Sequence, residues 1–183
     1  HCGAQTELLF DGGSLVVSQN GMVYEELPYF VECIRHFSLE GVLKGDQSHE
    51  QPKNKIALIH DGIVMGIKDY FRKLGFSKAI LGLSGGIDSA VTAVLAARAL
   101  GPENVRVLLM PSQFSTHHSV DDAMDLVNKL GLKHDIIPIK DIYDAFMDKL
   151  SPLFEGMPFN VTEENIQARV RGTLNMALSN KFG

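Results

Sequence analysis

The first part of the chain carries a hydrophobic pattern that is typical of β structure, between residues 8 and 26. Two valines at positions 16–17 precede Asn20 and Gly21, a pair that strongly favours a tight β-hairpin turn. Residues 22–26 are then expected to return as the second strand. A hairpin of this size cannot bury a core by itself, so we do not expect it to be a complete domain.

A polar segment, KGDQSHEQPKNK at residues 44–55, separates this β-rich part from the rest of the chain. Its composition predicts a linker between domains. Ile56 then begins a run of apolar residues at helical spacing, which ends at Gly75. This run predicts a long helix.

Beyond Gly75 the pattern alternates between short apolar runs and helical spacing. The predicted elements are a strand at 78–83, a helix at 87–100, a strand at 105–110, a helix at 120–130 and a strand at 134–138. Short strands separated by helices of this length indicate βαβ units and a parallel sheet. We therefore predict an α/β fold, in which right-handed crossovers place the loops after the strands along one edge of the sheet, where such folds bind ligands.

Composition narrows the class of protein. A chain of 183 residues with 45% hydrophobic and 21% charged residues can bury a core, either as one domain or as one domain plus a fragment of another. Its net charge of −5 argues against a protein that mainly coats nucleic acid or an anionic membrane, and no apolar run is as long as a membrane span. Cys2 and Cys33 form neither a disulfide framework nor a metal-ligand spacing, which predicts a reduced, cytoplasmic protein.

The stretch LGLSGGIDSA, residues 81–90, is the strongest candidate for a site. A glycine-rich turn between a strand and a helix aims backbone N–H groups at one point, and the helix dipole adds positive potential there, so the turn is expected to bind phosphate. The dinucleotide fingerprint G-x-G-x-x-G is absent because Gly82, Gly85 and Gly86 have the wrong spacing. The Walker A loop is absent because no lysine follows until residue 129. A glycine turn without a ligand is the alternative.

The six residues SGGIDS at 84–89 resemble the S-G-G-x-D-S loop of the ATP pyrophosphatase, or PP-loop, family. That family includes NAD, GMP and asparagine synthetases. Its members split ATP between the α- and β-phosphates, adenylate a carbonyl oxygen and release pyrophosphate. The resemblance implies a Rossmann-like sheet of the adenine nucleotide alpha hydrolase type, with ATP and Mg²⁺ as cofactors.

Each polar residue of this loop has a role that fits adenylation. Ser84, Gly85, Gly86 and Ser89 would supply the N–H groups and hydroxyls that stabilise a leaving pyrophosphate. The carboxylate of Asp88 would repel phosphate unless a cation lay between them, so Asp88 is a candidate Mg²⁺ ligand. The alternative for Asp88 is an acidic residue that complements the helix dipole.

A second segment, LLMPSQFSTHHSVDDA, follows the strand at 105–110. It resembles the M-P-S segment of NAD synthetases. The resemblance implies that Pro111, Ser112 and Ser115 lie beside the adenine and ribose of ATP.

A third segment, EENIQARVRG at residues 163–172, places Asn165 and Arg169 four positions apart on one face of a predicted helix. A solvated basic face that includes Arg171 is the alternative reading. The segment resembles the N-x-x-A-R helix of NAD synthetases, whose Asn and Arg contact deamido-NAD across a subunit interface. The resemblance implies that Asn165 and Arg169 bind deamido-NAD and that the protein is a homodimer or a larger homo-oligomer.

The opening residues GAQTELLFDGGS resemble the end of the nitrilase-type amidase domain that serves as the glutaminase of glutamine-dependent NAD synthetases. The implied organisation is a C-terminal remnant of that domain at 1–43, a linker at 44–55 and the N-terminal part of the synthetase domain at 56–183. The amidase nucleophile is expected upstream, and Cys2 does not occupy its place. In the family a further strand with ATP- and Mg²⁺-binding residues follows the position of Gly183, so we expect an incomplete sheet and no complete catalytic set.

These resemblances imply a role in NAD biosynthesis, namely the ATP-dependent amidation of deamido-NAD through an adenylated intermediate. Ammonia would come from glutamine, and neither nucleic acid nor membrane is expected as a partner. Two alternatives stay open. One is another PP-loop amidotransferase of the GMP synthetase kind, and the other is a catalytically inactive nucleotide-binding fragment.

Overall fold

The computed structural model describes residues 1–45, 54–115 and 117–182, without the side chain of His117. The chain divides into two compact units, His1–Gly75 and Phe76–Gly183. The predicted linker at 44–55 lies mostly outside the described residues.

The first unit contains two antiparallel hairpins and two helices. Its elements are β1 (Cys2–Gln5), β2 (Leu8–Asp11), β3 (Leu15–Val17), β4 (Val23–Glu26), α1 (Leu39–Lys44) and α2 (Lys55–Leu74). Strand β1 pairs with β2 and β3 pairs with β4, so the hairpin predicted around Asn20 and Gly21 is confirmed. The β structure begins earlier than predicted, at Cys2 rather than at residue 8.

Helix α2 has clear start and stop signals. The side chain of Asn54 accepts hydrogen bonds from the N–H groups of Ile56 and Ala57, at 3.1 and 3.2 Å, which satisfies two donors of the first turn. Gly75 ends the helix in the left-handed conformation, with φ at 75°. The helix predicted from residue 56 to Gly75 is therefore confirmed.

Helix α2 packs against β1 within the first unit. The N–H of Ala4 donates to Oδ2 of Asp69 at 2.9 Å. This backbone hydrogen bond, with a smaller contribution from Arg72, holds the pKa of Asp69 below its usual range. The boundary between the two compact units thus lies after α2, whereas the predicted synthetase domain begins before α2. The predicted domain boundary stays a prediction.

The second unit is a three-stranded parallel sheet flanked by helices. Its elements are β5 (Ala79–Gly82), α3 (Ile87–Leu100), β6 (Val105–Leu109), α4 (His117–Leu130), β7 (Lys133–Ile136), α5 (Lys140–Leu150) and α6 (Val161–Phe182). The strand order is β5-β6-β7, and both pairings are parallel. The predicted α/β fold class is confirmed. Among the predicted elements of this unit with stated bounds, α4 has the largest change in its start, which comes three residues early.

Strand β6 lies at the centre of the sheet and at the centre of the core. Val107 and Leu109 face a cluster that includes alanines of α3 and Val127 of α4. Leu108 faces the opposite cluster with Val170 of α6. Because successive residues of a strand point to opposite faces, this alternation places α3 and α4 on one face of the sheet and α6 on the other.

Strand β5 is hydrogen-bonded to β6 alone within the described residues, so it lies at an edge of the sheet there. Each helix in the described part of the chain is too short or too polar to span a lipid bilayer.

Candidate nucleotide-binding site

A cavity opens at the carboxyl ends of β5 and β6. Its volume is about 520 Å³, within the range of about 300–1,000 Å³ that small-molecule sites occupy. The cavity is lined by Gly82, Leu83, Ser84, Leu108, Leu109, Met110, Pro111, Ser115, Ser119, Val120, Ala123, Arg171 and Asn175. Three of the predicted site residues, Ser84, Pro111 and Ser115, therefore share one cavity.

The predicted phosphate loop follows β5 and leads directly into α3. Its two serines are joined in a small network, in which the N–H of Ser84 donates to Oγ of Ser89 at 3.2 Å and the two Oγ atoms lie 3.0 Å apart. The N–H of Gly86 donates to Oγ of Ser84 at 3.2 Å, and the hydroxyl of Ser89 donates to the carbonyl of Gly86 at 2.9 Å. The hydroxyls thus hold the loop in shape before any ligand binds.

The two glycines of the loop are required for different reasons. Gly85 has φ at +83°, and a Cβ built on it would lie 2.1 Å from the carbonyl oxygen of Ser119. Gly86 has an extended backbone, with φ at −82° and ψ at 155°, which any residue adopts. Its Cβ would meet only the Oγ of Ser84, at 3.3 Å. The fold therefore requires glycine at 85, whereas the backbone conformation at 86 does not require it.

The N-terminus of α3 lies at this loop. Gly86 is its N-cap, and no described side chain caps the helix there. The N–H groups of the first turn are consequently available to an anion, which the helix dipole also favours.

Asp88 lies in that first turn, and its side chain is exposed. Within the described ranges no group of three or more His, Cys, Asp or Glu side chains is placed to hold a metal ion. Mg²⁺ commonly binds through one or two carboxylates together with substrate phosphates and water. A single exposed carboxylate beside a phosphate loop fits that donor set.

The segment after β6 forms a turn that its own serines stabilise. The N–H of Ser112 donates to Oγ of Ser115 at 3.0 Å, and the N–H of Phe114 donates to Oγ of Ser112 at 3.2 Å. The carbonyl of Pro111 accepts a hydrogen bond from the N–H of Ile139 at 2.9 Å. Pro111 and Ser115 line the cavity, whereas Ser112 acts on its shape through the turn.

Asn165 and Arg169 lie on α6 but not in the cavity. Both side chains are exposed, and the buried residues of the helix, Glu163, Gln167 and Val170, lie on its other face. The structure therefore does not bring this predicted pair to the phosphate loop. Their role in binding deamido-NAD stays a prediction.

Two other residues of α6, Arg171 and Asn175, do line the cavity. Arg171 donates through Nε to the carbonyl of Met110 at 3.2 Å, and burial lowers the pKa of its guanidinium. Sequence reasoning left Arg171 as a solvated alternative and missed Asn175. The apolar stripe of α6, in which Val170 is buried and Leu174 partly buried, could not have singled them out, because Asn165 and Arg169 flank the same stripe on its other side.

The parallel sheet, the glycine loop between β5 and α3 and the cavity at the carboxyl edge define a Rossmann-like α/β protein with a small-molecule site. The chain belongs to the NAD synthase family, whose model matches residues 59–183.

Two glutamine-dependent NAD synthetases match nearly the whole chain, and an ammonia-dependent one matches most of it. The glutamine-dependent NAD(+) synthetase of Synechocystis is 44% identical over 184 residues, covering 99% of this chain and 33% of the relative. The structure of the glutamine-dependent NAD+ synthetase of Acinetobacter baumannii, in complex with adenosine diphosphate, superposes with a TM-score of 0.91 at 41% identity, covering 99% of this chain and 35% of that one. The ammonia-dependent NAD synthetase of Campylobacter jejuni is similar over 70% of this chain and 53% of its own, with a TM-score of 0.62 at 35% identity. The chain thus spans about a third of the length of its glutamine-dependent relatives.

Proposed function

We propose that this chain supplies the ATP-binding part of a glutamine-dependent NAD synthetase, which converts deamido-NAD into NAD. The observation that carries the proposal is the SGGIDS loop at the carboxyl end of β5, where it opens α3 beside a cavity of about 520 Å³. Membership of the NAD synthase family and the adenosine diphosphate bound by the Acinetobacter relative support it.

The loop is suited to hold the phosphates of ATP. Phosphate oxygens would accept hydrogen bonds from the first N–H groups of α3. The hydroxyl of Ser84, which lines the cavity, would donate to phosphate by rotating away from Oγ of Ser89. The hydroxyl of Ser89 already donates to the carbonyl of Gly86, so we infer that the main role of Ser89 is to fix the conformation of the loop. A pre-shaped set of donors does not need to reorganise as charge develops on the leaving group.

The proposed reaction has two steps. A carboxylate oxygen of deamido-NAD attacks the α-phosphorus of ATP, the bond to the bridging oxygen breaks and pyrophosphate leaves. Ammonia then attacks the adenylated carbonyl carbon, AMP leaves with the electron pair of its bond, and a proton is lost to solvent. Bound Mg²⁺ would neutralise phosphate charge, and Asp88 is the residue of this chain that would hold it.

The other predicted contacts fit the same arrangement. Pro111 and Ser115 line the part of the cavity beside β6, where the base and ribose of ATP would lie, and Ser112 shapes the adjoining turn. Asn165 and Arg169 are exposed, as residues that bind deamido-NAD across a subunit interface must be. A guanidinium fork is well suited to a dinucleotide phosphate. We therefore retain a homodimer or a larger homo-oligomer as part of the proposal.

The ammonia source belongs to the proposal as well. The glutamine-dependent names of the long relatives favour ammonia delivered from glutamine by a nitrilase-type domain. We assign residues 1–43 to the end of that domain, 44–55 to the linker and 56–183 to the synthetase domain.

Calorimetry of the 183-residue chain with ATP, in Mg²⁺ and in EDTA, tests the nucleotide site. We expect saturable binding that Mg²⁺ strengthens, and no heat of binding in either condition would overturn the site. In a longer protein that contains this chain, pyrophosphate release tests the substrate. Release that depends on deamido-NAD is expected, whereas release that depends on xanthosine monophosphate would favour a GMP synthetase-like amidotransferase, and ATP binding without turnover would favour an inactive nucleotide-binding protein.

A further inference from the structure

The guanidinium of Arg171 lies at the carboxyl ends of β5 and β6. The carbonyl of Leu108 faces β5, where it accepts a hydrogen bond from the N–H of Leu83 at 2.8 Å, and the carbonyl of Leu109 faces the chain that continues β7. Because successive carbonyls of a strand point to opposite neighbours, the carbonyl of Met110 points to the β5 side, at a level where β5 has already ended. Nε of Arg171 donates to this carbonyl at 3.2 Å. The guanidinium thus takes the place that the next residue of β5 would occupy.

Arg171 is a half-buried cation without a counter-charge in the described part of the chain. Nε is its hydrogen-bonded atom there, and no described carboxylate forms an ion pair with it. Burial lowers the pKa of its guanidinium, and no acidic neighbour opposes that shift. Among the described residues, Oδ1 of Asn175 is the one fully covered side-chain polar atom without a partner, so the terminal nitrogens of Arg171 remain accessible. A desolvated cation is costly unless an anion pairs with it.

The position of Arg171 indicates which anion that is. Among the described residues that line the cavity, Arg171 alone has a charged side chain. Met110, whose carbonyl holds the guanidinium, directly precedes Pro111, on the side where the base and ribose of ATP would lie, whereas Ser84 belongs to the phosphate loop. A nucleotide that spans the two sides would place its α-phosphate, the one bonded to the ribose, between them.

We propose that Arg171 binds the α-phosphate of ATP, with its terminal nitrogens donating to the non-bridging oxygens. This inference rests on the proposed nucleotide site. A guanidinium fork can donate to two phosphate oxygens at once. Its charge would also favour the attack of a carboxylate on the α-phosphorus, because two negatively charged groups must approach each other in that step.

The test compares AMP with adenosine, because the two differ by the α-phosphate. Their dissociation constants are measured by calorimetry on the full 183-residue chain in Mg²⁺, in competition with ATP where binding is weak. We expect Arg171→Met to weaken AMP binding by about ten- to a hundredfold, the loss that hydrogen bonds to a charged group give, and to leave adenosine binding unchanged. Inorganic pyrophosphate should keep its affinity, because it represents the β- and γ-phosphates.

A structural role for Arg171 predicts a different result. Arg171→Met also removes the hydrogen bond to the carbonyl of Met110, but a distorted cavity would weaken AMP and adenosine alike. Arg171→Lys keeps a charge and a donor, so it covers the case in which Arg171→Met does not fold. Its preference for AMP over adenosine should still be lower than that of the wild type, because lysine has no fixed fork with which to hold the carbonyl and the phosphate together.

Lys181→Met is the matched control, because it removes one positive charge from an exposed position of the same helix, outside the cavity. Its preference for AMP should equal that of the wild type, and an equal loss in this control would overturn the inference. An unchanged preference in Arg171→Met, or in Arg171→Lys where the first variant does not fold, would overturn it as well, and so would a loss of pyrophosphate affinity as large as that of AMP. In each of these cases the proposed function still stands. If the wild type binds no ATP, the proposed site itself fails, so the two failures are distinguishable.

Discussion

Replacement of Gly85 by alanine should damage both the fold and the phosphate loop. The new Cβ would lie 2.1 Å from the carbonyl oxygen of Ser119, whereas ordinary contact begins at 3.4 Å, so loop and helix α4 must separate by 3.4 − 2.1 = 1.3 Å. Overpacking of this kind costs about 1–3 kcal/mol. The left-handed backbone, with φ at +83°, costs an alanine about 1–2 kcal/mol more.

Gly131→Ala separates these two costs. Gly131 also has a positive φ, +68°, but a Cβ there would meet nothing within 4 Å. It should therefore show the backbone cost alone, about 1–2 kcal/mol. Thermal unfolding of the full chain should place the Tm of Gly85→Ala below that of Gly131→Ala by roughly 2–12 °C, from about 2–4 °C per kcal/mol for a chain of this size.

Calorimetry with ATP completes the comparison. Gly85→Ala displaces the phosphate loop, whereas Gly131 lies outside the cavity, so Gly85→Ala should weaken ATP binding while Gly131→Ala keeps it. Equal melting temperatures and equal ATP affinities for the two variants would show that the close approach of residue 85 to Ser119 does not contribute to stability or to binding.

Four further outcomes are expected. Gly86→Val should melt only slightly below the wild type, because the backbone there is extended although valine is a poorer N-cap than glycine, yet calorimetry should detect no ATP binding if phosphate approaches that backbone. Asp88→Asn should weaken ATP binding in Mg²⁺ but not in EDTA, and an equal loss in both would favour the helix-dipole role. Arg169→Ala, at an exposed position, should change the free energy of unfolding by no more than about 0.5 kcal/mol and, in the longer protein, raise the KM for deamido-NAD. The guanidinium of Arg106 donates to both carboxylate oxygens of Asp135 at 2.5 and 2.8 Å and holds the pKa of that carboxyl below its usual value. The stability that this ion pair contributes should be complete above about pH 3.9, the pKa of an unfolded Asp, and should be lost as the pH falls through the folded pKa. Denaturant titrations should therefore show this loss in the wild type and not in Asp135→Asn.

The alternation of strands and helices was predictable because its signals are local. Apolar spacing and the glycine at the end of α2 located that helix, and the predicted helix at 87–100 has the same bounds as α3. Strand β1 was missed because Cys2–Gln5 contains a glycine and no β-branched residue. Helix α1 has only six residues, too few for an apolar period to repeat.

The loop residues were found for the same reason as the helices. Ser84, Gly85, Gly86, Asp88 and Ser89 are adjacent in sequence, so their chemistry could be read as one unit. The close approach of Gly85 to Ser119 could not be read in this way, because it depends on where α4 begins relative to the end of β5. The sequence therefore indicated two glycines at a phosphate loop, but it did not show that the fold requires Gly85 and not Gly86.

The two residue pairs of α6 show where a helical pattern stops being informative. Asn165 and Arg169 are four positions apart, and so are Arg171 and Asn175, so each pair shares a face. Periodicity places the apolar stripe Ile166, Val170 and Leu174 between the two pairs, so it does not say which pair meets a ligand. Arg171 and Asn175 line the cavity because they lie beside Met110 and Gly82, at the ends of β6 and β5. Those strand ends come next to α6 only in the folded unit. Asn165 and Arg169 are exposed, so the role proposed for them depends on the proposed oligomer, whereas this chain alone places Arg171 and Asn175 at the cavity.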